Sequence, residues 1–292
     1  KNIGVFHRNM SRIIAITNQK GGVGKTTTCV NLAASLAATR RKVLLVDLDP
    51  QGNATMGSGV NKHELELGGY HLLLEEIPVA DIIVDAGTAG FKLLPGNSDL
   101  TAAEVQLMQL DERETRLGRR LQPVAGQYDY VLIDCPQSLG NLTINALSAV
   151  DDVFLPLQPH YLALHGLSKL LQTIDLVSKR LNDRLRLAGV MLCLYESGTR
   201  LAAEVSGDVE AFFRESTHVD TAWQDVHLFE SRIRRNIRLA EAPSFEQSIF
   251  QYAAQSAGAD DYRALADEVV SLYASQAEVD RDRQQIVMRQ AA

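Results

Sequence analysis

Cysteine is scarce in the 292-residue chain: Cys29, Cys135 and Cys193 lie far apart, and none falls in a CxxC or Cys/His spacing. That excludes a disulfide framework and a cysteine-built zinc site, and it fits a reducing cytosol. No segment supplies the roughly 18 uninterrupted apolar residues of a membrane span, and residues 1–12 hold no apolar stretch of signal-peptide length. Export and membrane insertion are therefore not expected. Positive charge is not in excess either, because 29 Lys+Arg stand against 36 Asp+Glu for a net charge of −7. A basic protein that wraps nucleic acid is excluded on that count. No internal repeat, long Pro/Ser linker or low-complexity block breaks the chain, which makes a single domain the economical reading.

What is present suits a large core: 46% of residues are hydrophobic and 22% charged, a balance that disordered chains lack. RIIAIT (Arg12–Thr17), KVLLVD (Lys42–Asp47), YVLID (Tyr130–Asp134), VFLPL (Val153–Leu157) and LAGVMLCL (Leu187–Leu194) are short apolar runs, the pattern of strands buried on both faces. Helix-length segments separate them. Cys29, Leu32, Ala33, Leu36 and Ala37 mark a helix over Thr26–Ala38, and Leu164, Leu167, Leu170, Leu171, Ile174 and Val177 mark another over Tyr161–Val177. The alternation predicts an α/β fold, a mostly parallel twisted sheet with helices on both faces. Residues 1–10 are set aside as an upstream extension or an expression remnant, 11–276 form the domain, and the polar stretch from Glu278 to Gln290 is expected to fray or extend from a last helix carrying Tyr262, Leu265, Ala266, Val269 and Val270.

Directly after the first strand stands Lys20-Gly21-Gly22-Val23-Gly24-Lys25-Thr26-Thr27. Small residues let successive backbone N–H groups curl around phosphate oxygens, and the helix that follows adds its dipole. Lys25 would reach the terminal phosphates of a nucleotide, and Thr26 would hold Mg²⁺. The general pattern GxxxxGK[ST] is incomplete, since its first glycine falls on Gln19, and an additional lysine, Lys20, comes with the departure.

KGGVGKTTT, together with VDLDPQGN, the helix NLAASLA, LIDCPQSLG and RNIRLAEAPSF, resembles the deviant Walker A ATPases, and specifically the ParA/Soj partition ATPases, over most of the chain. The resemblance implies a P-loop NTPase that binds ATP and Mg²⁺ through Lys20 to Thr27. It implies that Lys20 crosses to the nucleotide of a facing subunit, so that an ATP-bound homodimer sandwiches two nucleotides. It also implies that a bulky residue at Gly21 hinders the dimer more than nucleotide binding. Asp49 matches the residue that positions the attacking water, so Lys20, Lys25 and Asp49 are the expected catalytic set; Asp134 matches the Walker B carboxylate that holds Mg²⁺ with Thr26. Two departures stand out: Gln137 where the family commonly has proline, and Arg234 where IPRN carries proline.

The second departure gathers Arg232, Arg234, Arg235 and Arg238 within seven residues. Such a run is often a solvated face. The resemblance nonetheless implies nonspecific double-stranded DNA as a partner, and an acidic monomer can bind it if its arginines act locally, within a Debye length of ~10 Å. Asn236, in the same stretch, is the candidate beside the adenine. A ParB-like centromere-binding protein is the implied partner that stimulates slow hydrolysis, and the implied location is cytoplasmic and nucleoid-associated. The short stretch before the first strand leaves no room for a helix-turn-helix domain, which favours a Soj-like chromosomal type. Two alternatives remain: a MinD-like membrane-positioning ATPase, disfavoured because DRDRQQIVMRQAA has only Ile286, Val287 and Met288 as adjacent apolar residues, and a metabolic P-loop enzyme such as an amide-forming ligase or the iron protein of nitrogenase.

Overall fold

The computed structural model describes residues 11–160, 166–215 and 221–290. Eight strands form one sheet: β1 (Arg12–Ile16), β2 (Val43–Asp47), β3 (Val84–Asp85), β4 (Lys92–Leu94), β5 (Tyr130–Asp134), β6 (Asp152–Leu157), β7 (Arg186–Tyr195) and β8 (His227–Arg234). Their spatial order is β3-β4-β2-β5-β1-β6-β7-β8. All pairings are parallel except β3 with β4. The five strands read from apolar runs are the five central ones, β2, β5, β1, β6 and β7, as a sheet covered on both faces requires. β3 and β4 are two and three residues long, too short to show a period. β8 buries only Phe229 and Ile233 in HLFESRIR, the sparse pattern of a polar edge strand.

Helices cover both faces and divide the core. On one face α1 (Lys25–Ala38) buries Cys29, Leu32, Ala33 and Leu36 against β1, β2 and the C-terminal helix; on the other, the helix Leu167–Arg180 buries Leu167, Leu170, Leu171, Ile174 and Val177. The predicted stripe is thus present from Leu167 onward, while Tyr161 and Leu164 lie outside the described residues. The last helix differs from expectation: it runs over Ala257–Gln290 and includes the stretch from Glu278 that was expected to fray or extend. After Gly258 this segment contains neither glycine nor proline, and its Glu, Gln, Arg and Ala residues are good helix formers.

One glycine is fixed by packing alone. A β-carbon at Gly189 of β7 would lie 2.3 Å from Phe229 Cε2 and 3.3 Å from Phe154 Cδ1, two buried rings in edge-to-face contact at 5.1 Å. Gly189→Ala is expected to destabilise the protein by about 1–3 kcal/mol through overpacking, lowering Tm by about 2–4 °C per kcal/mol in thermal unfolding. An unchanged Tm would show that Phe229 can move aside.

Candidate nucleotide site

The carboxyl ends of β1, β5 and β2 are level, with Ile16 and Asp47 both in register with Asp134. In an open parallel sheet this edge, beside a switch in strand order, is where ligands bind. The exit from β1 is shaped by Asn18, a residue the sequence analysis passed over: its amide donates to Pro156 O at 2.8 Å and its Oδ1 accepts from Lys20 N at 3.0 Å. The signal was an asparagine two residues ahead of the amide it caps. Gly22 and Gly24 then take φ of 71° and 94°, conformations open to glycine at little cost. This turns the loop back on itself, so its amides converge ahead of α1.

The two lysines of the loop have opposite environments. Lys25 is 8% exposed, with Nζ 3.3 Å from Lys20 O, so its ammonium lies under the loop. Lys20 is exposed. Thr26 and Thr27 open α1, while Thr28 and Asn31 anchor it: Thr28 Oγ1 is 3.2 Å from Tyr262 Oη, and Asn31 Oδ1 accepts from Ile249 N at 2.7 Å. Thr26, Thr27 and Asn31 also border a cavity of about 250 Å³ closed by Asn53, Met56, Ala242 and Pro243.

The acidic residues separate into distinct roles. Asp134 is fully buried; Oδ1 accepts from the Cys29 thiol at 3.4 Å, and Oδ2 has no hydrogen-bond partner among the described residues. Burial, and then the charge of Asp47, push its carboxyl well above the ordinary range, against the pull of Thr26 and Cys29. A buried acceptor without a donor is costly. A divalent cation beside Thr26 would satisfy Oδ2 and favour the ionised form, so the residues present fit Mg²⁺. No group of three or more His, Cys, Asp or Glu side chains forms a metal cage among the described residues; Mg²⁺ in nucleotide sites is completed by substrate phosphates and water. Asp47, in register with Asp134, is likewise fully buried, but its carboxylate is occupied by Thr55 N and Thr55 Oγ1. Asp49 is half-buried, its Oδ1 accepting from Gln51 N at 2.9 Å.

Comparison with known proteins agrees with this geometry. A family model described as an AAA domain matches residues 11–187. The sporulation initiation inhibitor protein Soj of Bacillus subtilis is 46% identical over 262 residues, covering 90% of this chain and 99% of Soj. The chromosome partitioning protein ParA of Myxococcus xanthus is 44% identical over 261 residues, covering 89% and 88%. The chain belongs to the ParA/Soj family. Among solved structures, cobyrinic acid a,c-diamide synthase from Mycobacterium smegmatis with bound ADP and magnesium superposes with a TM-score of 0.77 at 36% identity, covering 91% of this chain and 97% of that one. The predicted P-loop α/β fold is thereby borne out.

The arginines of this ParA/Soj-family chain are brought to one region, but each meets an acid. Arg234 is clamped on Asp261, with Nη2 2.6 Å from Oδ1 and its own backbone N–H on Oδ2 at 2.9 Å; the Asp261 side chain is 8% exposed. Arg232 lies 4.0 Å from Glu210 and over the Tyr195 ring. Arg235 pairs with Glu196 at 2.7 Å and Arg238 with Glu241 at 2.9 Å, both guanidiniums more than half exposed. The run is therefore not a bare positive patch: three of its counter-charges, Glu210, Asp261 and Glu196, come from elements distant in sequence, and Glu241 comes from the same helix as Arg238. Asn236 caps the helix Ile237–Glu241, its Oδ1 accepting from Arg238 N at 2.8 Å. It is absent from the cavity lining, where the neighbouring Ala242, Pro243 and Gln247 appear instead.

The other family departure lies on the phosphate loop. The Gln137 carboxamide covers Gly21: a β-carbon there would meet Oε1 at 2.7 Å. A side chain at Gly21 thus meets a neighbour within its own chain, in addition to any partner subunit. Glu104 holds the far end of the loop after β5 that carries Gln137, accepting from the backbone N–H groups of Asn141 and Leu142 at 2.6 and 3.0 Å.

Proposed function

We propose that this ParA/Soj-family protein is a Mg²⁺-dependent ATPase whose ATP-bound homodimer holds nonspecific double-stranded DNA and lets go when a ParB-like partner stimulates a slow hydrolysis. The observation that carries this reading is the pair of lysines on one phosphate loop, Lys25 buried beneath it and Lys20 exposed upon it. Lys25 neutralises phosphate within the chain. Lys20 is placed to be delivered to a second subunit's nucleotide, where a cation stabilises charge building on the transferring phosphoryl group. The loop amides cradle the phosphates, Thr26 and Asp134 hold Mg²⁺, which neutralises phosphate charge when bound, and Asp49 orients the attacking water.

For DNA, the exposed Arg235 and Arg238 suit phosphate contact best, because surface ion pairs contribute little and exchange readily. Arg232 is more enclosed, and Arg234 serves the fold by satisfying Asp261. Asn236 would approach the adenine by its amide nitrogen, its oxygen being committed to the cap. A cytoplasmic protein associated with the nucleoid follows from this activity; no helix among the described residues is long and apolar enough to cross a membrane. Similarity to a diamide synthase supports an amide-forming ligase as a second reading, but ParA of Myxococcus xanthus, 44% identical at similar coverage, is a chromosome partitioning protein.

The test is binding to random-sequence duplex DNA with ATP, with ADP and without nucleotide, over a salt series. Retention only with ATP, falling steeply as salt rises, is the expected result. Intact hydrolysis without DNA binding in any state would move the reading to membrane positioning or to ligase chemistry.

A further inference from the structure

Between the sheet and Asp49 lies a closed hydrogen-bond relay that the phosphate loop does not use. One carboxylate oxygen of Asp47 accepts from Asp49 N at 3.1 Å; the other accepts from both Thr55 N at 2.8 Å and Thr55 Oγ1 at 2.7 Å. The Thr55 hydroxyl in turn accepts from Gly96 N at 2.9 Å. Asp47 and Thr55 are both fully buried. A hydroxyl is the group this place calls for, since it must donate to a carboxylate and accept from an amide at once.

Gly96 is held just as closely by sterics. A β-carbon on it would lie 2.5 Å from Asp47 O and 3.1 Å from Asp47 Cγ, and one on Gly52, which has φ of 59°, would lie 2.6 Å from Gly96 O. The turn after β4 therefore touches the Asp49 segment at its beginning through Asp47 and at its middle through Gly52 and Thr55. Among the described residues Asp49 has no comparable tie of its own beyond the local turn to Gln51 and Gly52. Its position relative to the phosphate loop is set by what holds Asp47.

We infer that Thr55, bridging Asp47 and Gly96, is the positioning residue for Asp49, so that the turn after β4 governs hydrolysis without touching nucleotide. This rests on the reading that Asp49 orients the attacking water. The geometry gives the hydroxyl a role separable from phosphate binding, because among the described residues no hydrogen bond of the relay runs to residues 20–27; its hydrogen-bonded route to the reaction is the backbone N–H of Asp49, and Asp47 acts on Asp134 by charge alone.

The experiment compares Thr55→Val, Thr55→Ala, Thr55→Ser and Gly96→Ala in the full chain, measuring Mg²⁺-ATP turnover and, separately, affinity for a fluorescent ATP analogue. Thr55→Val and Thr55→Ala should lower kcat by about 10- to 100-fold, the scale of an ångström misplacement, with affinity nearly unchanged. Thr55→Ser, which keeps the hydroxyl, should retain most turnover. Gly96→Ala should reproduce the kcat loss by pushing on Asp47. Loss of binding and turnover together, or Thr55→Ser behaving like Thr55→Ala, would overturn the inference in favour of simple packing. Should Thr55→Val or Gly96→Ala fail to fold, Thr55→Ser against Thr55→Ala still decides, since they differ only in the hydroxyl. Normal turnover by Asp49→Ala would instead sink the reading of Asp49 itself.

Discussion

Lys25→Ala is expected to yield a folded protein that no longer holds ATP. The ammonium lies under the phosphate loop with Lys20 O as its hydrogen-bond acceptor at 3.3 Å, so its removal takes little from the fold. What it takes from the ligand is large. A charge-assisted bond to phosphate contributes about 1.5–3 kcal/mol, and the loss of one or two weakens binding by about 10- to 10⁴-fold. Nucleotide titration by calorimetry, with thermal unfolding as the control for folding, checks both halves. ATP affinity within a few-fold of the parent chain would mean that the phosphates lie elsewhere.

Asp49→Ala should do the reverse, keeping ATP and losing hydrolysis. Orienting and deprotonating a water is commonly worth about 10²–10⁴-fold, so kcat should fall on that scale while ATP-dependent DNA retention persists. The alanine also removes the acceptor for Gln51 N, which could move the turn as well as the chemistry. Asp49→Asn separates the two, because its carbonyl oxygen keeps the turn while the charge is lost. Both variants inactive places the effect in the chemistry. An active Asp49→Asn beside an inactive Asp49→Ala places it in the turn, and normal turnover by both removes the assignment.

The phosphate loop was legible because every part of it is local. A strand, a glycine turn and a helix follow one another within about thirty residues, and φ above zero at Gly22 and Gly24 is the conformation for which the turn needs glycine. The central strands were legible for a related reason: burial on both faces leaves an unbroken apolar run. β3, β4 and β8 lie on the flanks, where a short or half-polar strand leaves no such mark. The last helix leaves no apolar stripe past Glu278 by which to read it, although nothing after Gly258 breaks a helix.

The carboxylates show where sequence order stops being informative. Asp47 and Asp49 sit two apart in one motif, a spacing that can hold both side chains near the phosphate edge of the sheet. The fold sends them to different tasks, since Thr55 and Gly96 close around Asp47 and leave Asp49 half-exposed. The arginine run divides in the same way. Arg234 is bound to Asp261 and Arg235 to Glu196, partners on other elements that proximity in the chain does not reveal.

By itself, then, the sequence determined a parallel α/β sheet, a phosphate loop with two lysines and the family that carries it, because strand burial, turn conformation and motif spacing are all set by neighbours in the chain. Only the tertiary structure decided which acid is bound within the fold and which stays half-exposed, which arginines remain exposed, and what covers Gly21. Those outcomes depend on hydrogen bonds and ion pairs between segments that meet only when the sheet has formed, and where the acceptor is buried, as at Asp47 and Asp261, the pairing is strong enough to fix a side chain's role.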